Sequence, residues 1–421
     1  MRRRKLVLAL AGAGIGASSS PANAGWLSSL FGFGSSPAAP ASAPPAAPVR
    51  AASAPPRAST AAASATSAPM PPLGELLFGQ SAVLSGPLGE PLLAFNAGAQ
   101  LVFDDVNAHG GVLGRRIRLI SIDDQLQPDK AVAAYQSLLK DHKVFGFFGC
   151  TGSATTAAAE PLLRESGAPA FGGYAVSDSA RLRNRGAAYF VRATYGREAQ
   201  TLVQHLTTIG VTRIGVAYLA HPGGEEVLKL ISTALAERKL EPAVSAAVAL
   251  DGTNLAAAAR KLIGMEPQAI IMFLGGALAG DLMSQIGQRR QHTSFYGMSI
   301  IGGEMAVQRL GERARGLAVV EVMPYPWNQS DPSTKDYRRL AEAAKVPVGY
   351  FSFEGYVNAQ VLIEALRRSG GLEPNRARLH TVLRSLQMRI AGLDLDFSVD
   401  GHTGSRFVEL VQVAEGGRFI R

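Results

Sequence analysis

The chain predicts an α/β fold of parallel sheets covered by helices, divided between two lobes. Three observations carry this. Apolar runs of strand length recur from Leu76 to Met323: "LLFGQSAV", "IRLISIDD", "VFGFFG", "RIGVAYL", "AIIMFLG" and "LAVVEVM". Helical stretches separate them, and strand alternating with helix marks a parallel sheet buried on both faces. Roughly 350 residues follow Leu73, more than one core organises, which divides the folded part in two.

The helical stretches are read from their period and their starts. In "REAQTLVQHL", Ala199, Leu202, Val203 and Leu206 fall on one face at 3.6-residue spacing. "PDKAVAAYQSLLKD" carries Pro128 and Asp129 in its first turn, as a helix start should.

The N-terminal part reads differently. "MRRRKLVLALAGAGIGASSSPANA" places a basic stretch, Arg2 to Lys5, before a short apolar run and the small-residue site Ala22-Asn23-Ala24. That is the plan of a secretory signal peptide spanning 1–24, and its apolar run is too short to anchor in a bilayer. The consecutive arginines leave both the general secretory and the twin-arginine routes open. Residues 25–73 are dominated by Ala, Pro and Ser, a composition without core-forming side chains, and are expected to be a disordered spacer. A small apolar island of Trp26, Leu27, Leu30, Phe31 and Phe33 precedes it.

Composition excludes several classes. The single Cys, Cys150, forms no disulfide within the chain, is not at the cleavage site as a lipoprotein requires, and reads as a buried core thiol. Of the net charge of +9, four charges lie in the signal, leaving +5 without the basic-aromatic interleaving of a nucleic-acid surface. The seven His residues, His221 among them, are scattered and read as surface or packing residues. No loop collects the carboxylate pairs or His/Asp/Glu clusters that catalysis or a metal requires, so neither cofactor nor metal is expected.

In parallel α/β sheets, ligands bind at loops leaving the C-terminal ends of strands. "GCTGSATT" (149–156) is such a loop. It has no Lys for a P-loop, the wrong glycine spacing for a dinucleotide fingerprint and no G-x-S-x-G elbow. What remains is a helix N-terminus rich in hydroxyls and free N–H groups, suited to a carboxylate or polar ligand as well as to an ordinary cap.

The stretch "SGPLGEPLLAFNAGAQLVFDDVNAHGGVLGRRIRLISIDDQLQPDKAV" resembles the periplasmic binding proteins for branched-chain amino acids and amides, substrate-binding components of ABC transporters. The resemblance continues through "VFGFFGCTGSATTAAAEPLLRESGAPAFGGY", "YFVRATYGREAQTLVQHL", "FSFEGYVNAQVLIEALRRSG" and "GSRFVELVQV" and covers residues 74–421. It implies the type I periplasmic-binding fold: two Rossmann-like lobes, 74–193 with 323–403 and 194–322 with 404–421. Three crossovers would join them near 192–195, 322–325 and Thr403.

The resemblance also implies a site. Ser153, with Thr155 and Thr156 beside it, would hold a ligand carboxylate. Tyr174, Ala175 and Val176 would contribute from the next loop, Phe351 would form an aromatic wall, and Tyr195 would sit by the hinge. Relatives that bind amino acids hold the ammonium with an acid from lobe 2, where this chain has Ser299. Gly223, Ala277 and Leu278 stand where relatives carry aromatic residues, and Glu225 or Glu304 remains free to swing in. The expected protein is therefore a periplasmic, monomeric solute-binding protein serving an ABC permease. A ligand-sensing receptor is the alternative, and an enzyme would require a nucleophile such as Ser299.

Overall fold

The computed structural model describes residues 73–86, 88–287, 293–400 and 402–421. The signal peptide, the apolar island and all of the spacer but Leu73 lie outside the described residues. The first sheet is built from β1 (Glu75–Ala82), α1 (Glu90–Ala108), β2 (Arg116–Asp123), α2 (Pro128–Lys140), β3 (Gly146–Phe148), α3 (Ser153–Ser166), β4 (Ala170–Phe171), α4 (Asp178–Arg183) and β5 (Ala188–Tyr189). Its strands are parallel, in the order β2-β1-β3-β4-β5.

The second sheet follows from α5 (Tyr195–Thr208), β6 (Ile214–Leu219), α6 (Pro222–Ala236), β7 (Val244–Val248), α7 (Leu255–Gly264), β8 (Ala269–Phe273), α8 (Gly276–Gly287), β9 (Ser294–Gly297), α9 (Gly303–Leu310) and β10 (Ala318–Glu321). The chain then runs through α10 (Pro332–Ala344), α11 (Tyr350–Ser369), α12 (Arg376–Ser385) and the hairpin β11 (Gln387–Ile390) and β12 (Leu393–Asp396). It ends in β13 (Glu409–Val413) and β14 (Phe419–Ile420), which extend the second sheet antiparallel beyond β10.

Both sheets repeat one order. β7-β6-β8-β9-β10 copies β2-β1-β3-β4-β5, so each sheet has a point where strand order reverses, beside β1 and β3 in the first and beside β6 and β8 in the second. Such a reversal opens a crevice at the strand C-termini because the flanking connections leave in opposite directions. The six apolar runs read as strands correspond to β1, β2, β3, β6, β8 and β10. β8, "AIIMF", is buried at every position, as a strand covered on both faces must be.

Segments that pass between the sheets also pair with one another. Phe190 donates its N–H to the His402 carbonyl, and the N–H groups of Gly404 and Ser405 donate to the carbonyls of Phe190 and Val191. The helices α1 and α11 pack at glycine. A Cβ on Gly98 would lie 1.7 Å from the Ser352 carbonyl oxygen, and one on Gly355 would lie 1.8 Å from that of Phe95.

Gly98→Ala and Gly355→Ala should each lower stability by ~2 kcal/mol or more, because rigid backbone is the obstacle. Gly264 in α7 is the control: a Cβ there meets nothing within 4 Å, and alanine should stabilise by ~0.5–1 kcal/mol. Urea midpoints of the three variants measure this.

Candidate functional site

The two reversal points face a common cavity of ≈ 270 Å³. Val83 follows β1, Thr151 follows β3, Leu219 ends β6 and Phe273 ends β8, and all four line it. Pro91, Pro128, Ser153, Pro222 and Ile300 bring the first turns of α1, α2, α3, α6 and a 3₁₀ turn at Ser299–Ile301 to its wall. Helix N-termini carry unsatisfied N–H groups and partial positive charge. Among the lining residues, none has an acidic, Lys or Arg side chain.

The start of α3 forms the polar end. Gly152 precedes it at φ 92° without a side-chain cap, leaving the first-turn N–H groups of α3 without a side-chain partner. A Cβ at Gly152 would meet Leu126 and the Thr155 hydroxyl at 2.6 and 2.7 Å, so backbone angle and space both require glycine. Ser153 lines the cavity, and its Oγ accepts the Ser177 N–H at 2.9 Å, which leaves its own proton free to donate. Thr151 lines the same end, and its buried Oγ1 has no hydrogen-bond partner among the described residues. Tyr174 and Ala175 complete this side.

The other expected residues lie one layer back. Thr155 turns its hydroxyl onto the carbonyls of Thr151 and Gly152, closing its own helix turn rather than reaching the cavity. Tyr195 packs edge-on against Phe273 at 5.0 Å, behind the wall. Phe351 packs edge-on against Tyr174 at 5.8 Å and lines a separate hollow with Glu304. Ser299 is 2% exposed; its N–H and hydroxyl donate to the two oxygens of Glu198, both at 2.8 Å, and its Oγ accepts from Arg192. Ile300, the next residue, faces the cavity instead. Ser299, expected at the ligand, thus lies behind the wall of the cavity.

Arg192 organises that second layer. Its guanidinium lies 3.5 Å from Glu354 on α11, 3.7 Å from Glu198 on α5 and 5.0 Å from the centre of the Tyr174 ring. Burial pulls its pKa down, but Glu354, Tyr195 and Glu198 more than offset this, and it stays charged. Burial pushes Glu198 up to about 7, against the pull of Arg192 and Ser299. Glu321 is also held well above the usual carboxylate range, first by burial and then by Glu304, Glu198 and Glu354. Cys150 is a buried free thiol, pushed up to about 11 by burial, so little of it is the reactive thiolate. Among the described residues, no group of three His, Cys, Asp or Glu could hold a metal ion.

Two residues were missed from sequence. Thr151 was passed over for its neighbours Ser153 and Thr155. His221, expected among the surface or packing residues, lines the cavity as the N-cap of α6, with its Nδ1 accepting the Gly223 N–H at 3.0 Å. No spacing pattern marks either residue.

Paired sheets with the reversal points facing one cavity, and a wall without acids or basic cations, define a binder of small solutes in the type I periplasmic-binding fold. Residues 77–418 match the sequence profile of the periplasmic binding protein family, and the chain belongs to that family. The leucine-specific-binding protein of Salmonella typhimurium is 24% identical over 300 residues, 69% of this chain and 78% of that protein. A substrate-binding periplasmic protein from Ralstonia solanacearum is 28% identical with a TM-score of 0.77, covering 82% of this chain and 99% of its own. A solute-binding protein of an ABC transporter from R. palustris, in complex with benzoate, is 19% identical with a TM-score of 0.72, covering 82% and 95%. At that identity the likeness shows the fold alone.

Glu198 supplies a pH test. Its folded pKa, about 7, lies above the unfolded value of about 4.5, so its contribution to stability is lost as pH rises through this window. His221, His380 and His402, held low chiefly by burial, slope the other way but are common to wild type and variant. The melting-temperature difference, wild type minus Glu198→Gln, should therefore fall from pH 5 to 7.5 and then level off. A difference independent of pH would place the carboxyl at its ordinary value.

Proposed function

We propose that the chain is an exported solute-binding protein that captures a small carboxylate, or the corresponding amide, with an apolar body and delivers it to an ABC permease. One observation carries this reading: the cavity offers N–H and hydroxyl donors at the start of α3 but no acidic side chain anywhere in its wall. A buried ammonium would have no carboxylate to compensate its desolvation, whereas a carboxylate or carbonyl oxygen meets donors and helix N-termini. Leu92, Leu219, Leu250, Phe273 and Ile300 suit an apolar body. The benzoate of the R. palustris protein is a ligand of this kind.

Capture would follow from closure of two lobes, 74–193 with 323–403 and 194–322 with 404–421, about the passing segments. Gly223 of α6 already lies so near α3 that a Cβ on it would be 3.0 Å from Ser153 Oγ. Export rests on the basic, apolar and Ala22-Asn23-Ala24 plan of residues 1–24.

Isothermal titration of 4-methylpentanoate against leucine tests the ligand class. The carboxylate should bind at least ~10-fold tighter, a difference of about 1.4 kcal/mol; tighter binding of leucine would mean that an acid outside this wall reaches the ammonium. Thr151→Val removes the unpartnered hydroxyl at nearly constant shape. It should weaken binding by ~0.5–1.5 kcal/mol for a neutral head and by up to ~3 for an ionised one, with the melting temperature retained.

A further inference from the structure

The loops of the second sheet bring apolar residues and a glycine to the cavity, with one exception, His221. Its ring has a defined chemical state. Nδ1 accepts the Gly223 N–H at 3.0 Å, so it carries no proton, and a neutral ring must carry its hydrogen on Nε2. Protonating Nδ1 would turn this acceptor into a donor facing another donor. It would also place a cation at the N-terminus of α6, where the helix dipole favours negative charge. Burial acts in the same direction. The Nε2–H has no acceptor among the described residues.

The ring also stands at the polar end. A Cβ on Gly223 would lie 2.8 Å from His221 Cε1 and 3.0 Å from Ser153 Oγ, so the imidazole and the start of α3 flank the same glycine. We propose that His221 determines specificity: its Nε2–H donates a hydrogen bond to an oxygen of the ligand's carboxylate or amide head, opposite the N–H groups of α3. This rests on the carboxylate reading above and explains how the site would enforce it. With Nδ1 committed to Gly223, the imidazole offers the head a donor and no acceptor. A carboxylate fits between two sets of donors, and an ammonium, which has only hydrogens to offer, is refused by both.

His221→Asn and His221→Asp separate the possibilities, since both residues cap a helix well and should leave the melting temperature near that of wild type. Binding of 4-methylpentanoate and of leucine is measured by titration calorimetry at pH 7. Asn withdraws the ring N–H, and 4-methylpentanoate affinity should fall roughly 10–100-fold, as for a lost hydrogen bond to a charged group. Asp places a carboxylate opposite α3, and the preference should move toward leucine. An Asn variant that binds 4-methylpentanoate as wild type does would overturn the role of His221 while leaving the carboxylate reading intact. Wild-type protein that prefers leucine would overturn that reading and this proposal with it. Independently of any ligand, ¹⁵N spectra of the imidazole should show the Nε2–H tautomer, and an Nδ1–H signal would contradict the assignment.

Discussion

Arg192 carries a full positive charge where water does not reach, its side chain 1% exposed, and the wall of the cavity is arranged around it. A cation in such a place persists only if it is paired and hydrogen-bonded. Glu354 from α11 and Glu198 from α5 supply the pairing, Ser299 accepts a hydrogen bond and the face of Tyr174 packs against it. The Nε and Nη1 of Arg192 have no hydrogen-bond partner among the described residues. Each partner also holds something else. Glu198 grips both the N–H and the hydroxyl of Ser299, which sets the turn that turns Ile300 to the cavity. The ring held over Arg192 is the Tyr174 ring that lines the opposite side. Charge is thus spent one layer behind the site, on position, and the wall itself is left uncharged.

For the proposed ligand, an uncharged wall would recognise the head through the backbone. The repeated strand order puts the reversal points of two sheets face to face, and each brings helix N-termini with it. At α3, where Gly152 supplies no side-chain cap, the free N–H groups would meet an anionic or polar head without the desolvation cost of a lysine or arginine. The rest of the wall is mostly apolar, from valine, leucine, isoleucine, phenylalanine, proline and alanine, and would gain by excluding water from an apolar body. Direction then comes from geometry: donors at one end, hydrocarbon at the other.

Much of this was legible in the sequence, and the remainder has physical reasons. "AIIMF" is readable as a buried strand because it is continuous and bounded, whereas β4 and β5, two residues each, are too short to show any period. The loop after β3 could be placed at a cavity rim because strand, glycine and helix follow in order, and Ser153, Tyr174 and Ala175 do line the cavity. Thr155, two residues from Ser153, does not, since its hydroxyl prefers the carbonyl of its own turn. The placement of Ser299 behind the wall is not legible because Glu198, its partner, lies 101 residues away and no local pattern announces the contact. Within the loop after β3, composition does not tell Thr151 from Thr155, and His221 has no motif around it: the exposure of both to the cavity comes from the ends of β3 and β6.

The central claim is that the cavity selects an oxygen-bearing head without an ammonium. Its most direct test is to equilibrate the purified protein with a cell metabolite extract, desalt it rapidly, and identify the retained molecule by native mass spectrometry followed by release. The retained molecule should be a small monocarboxylic acid or amide that lacks an amine. Retention of a free α-amino acid from the same mixture would contradict it.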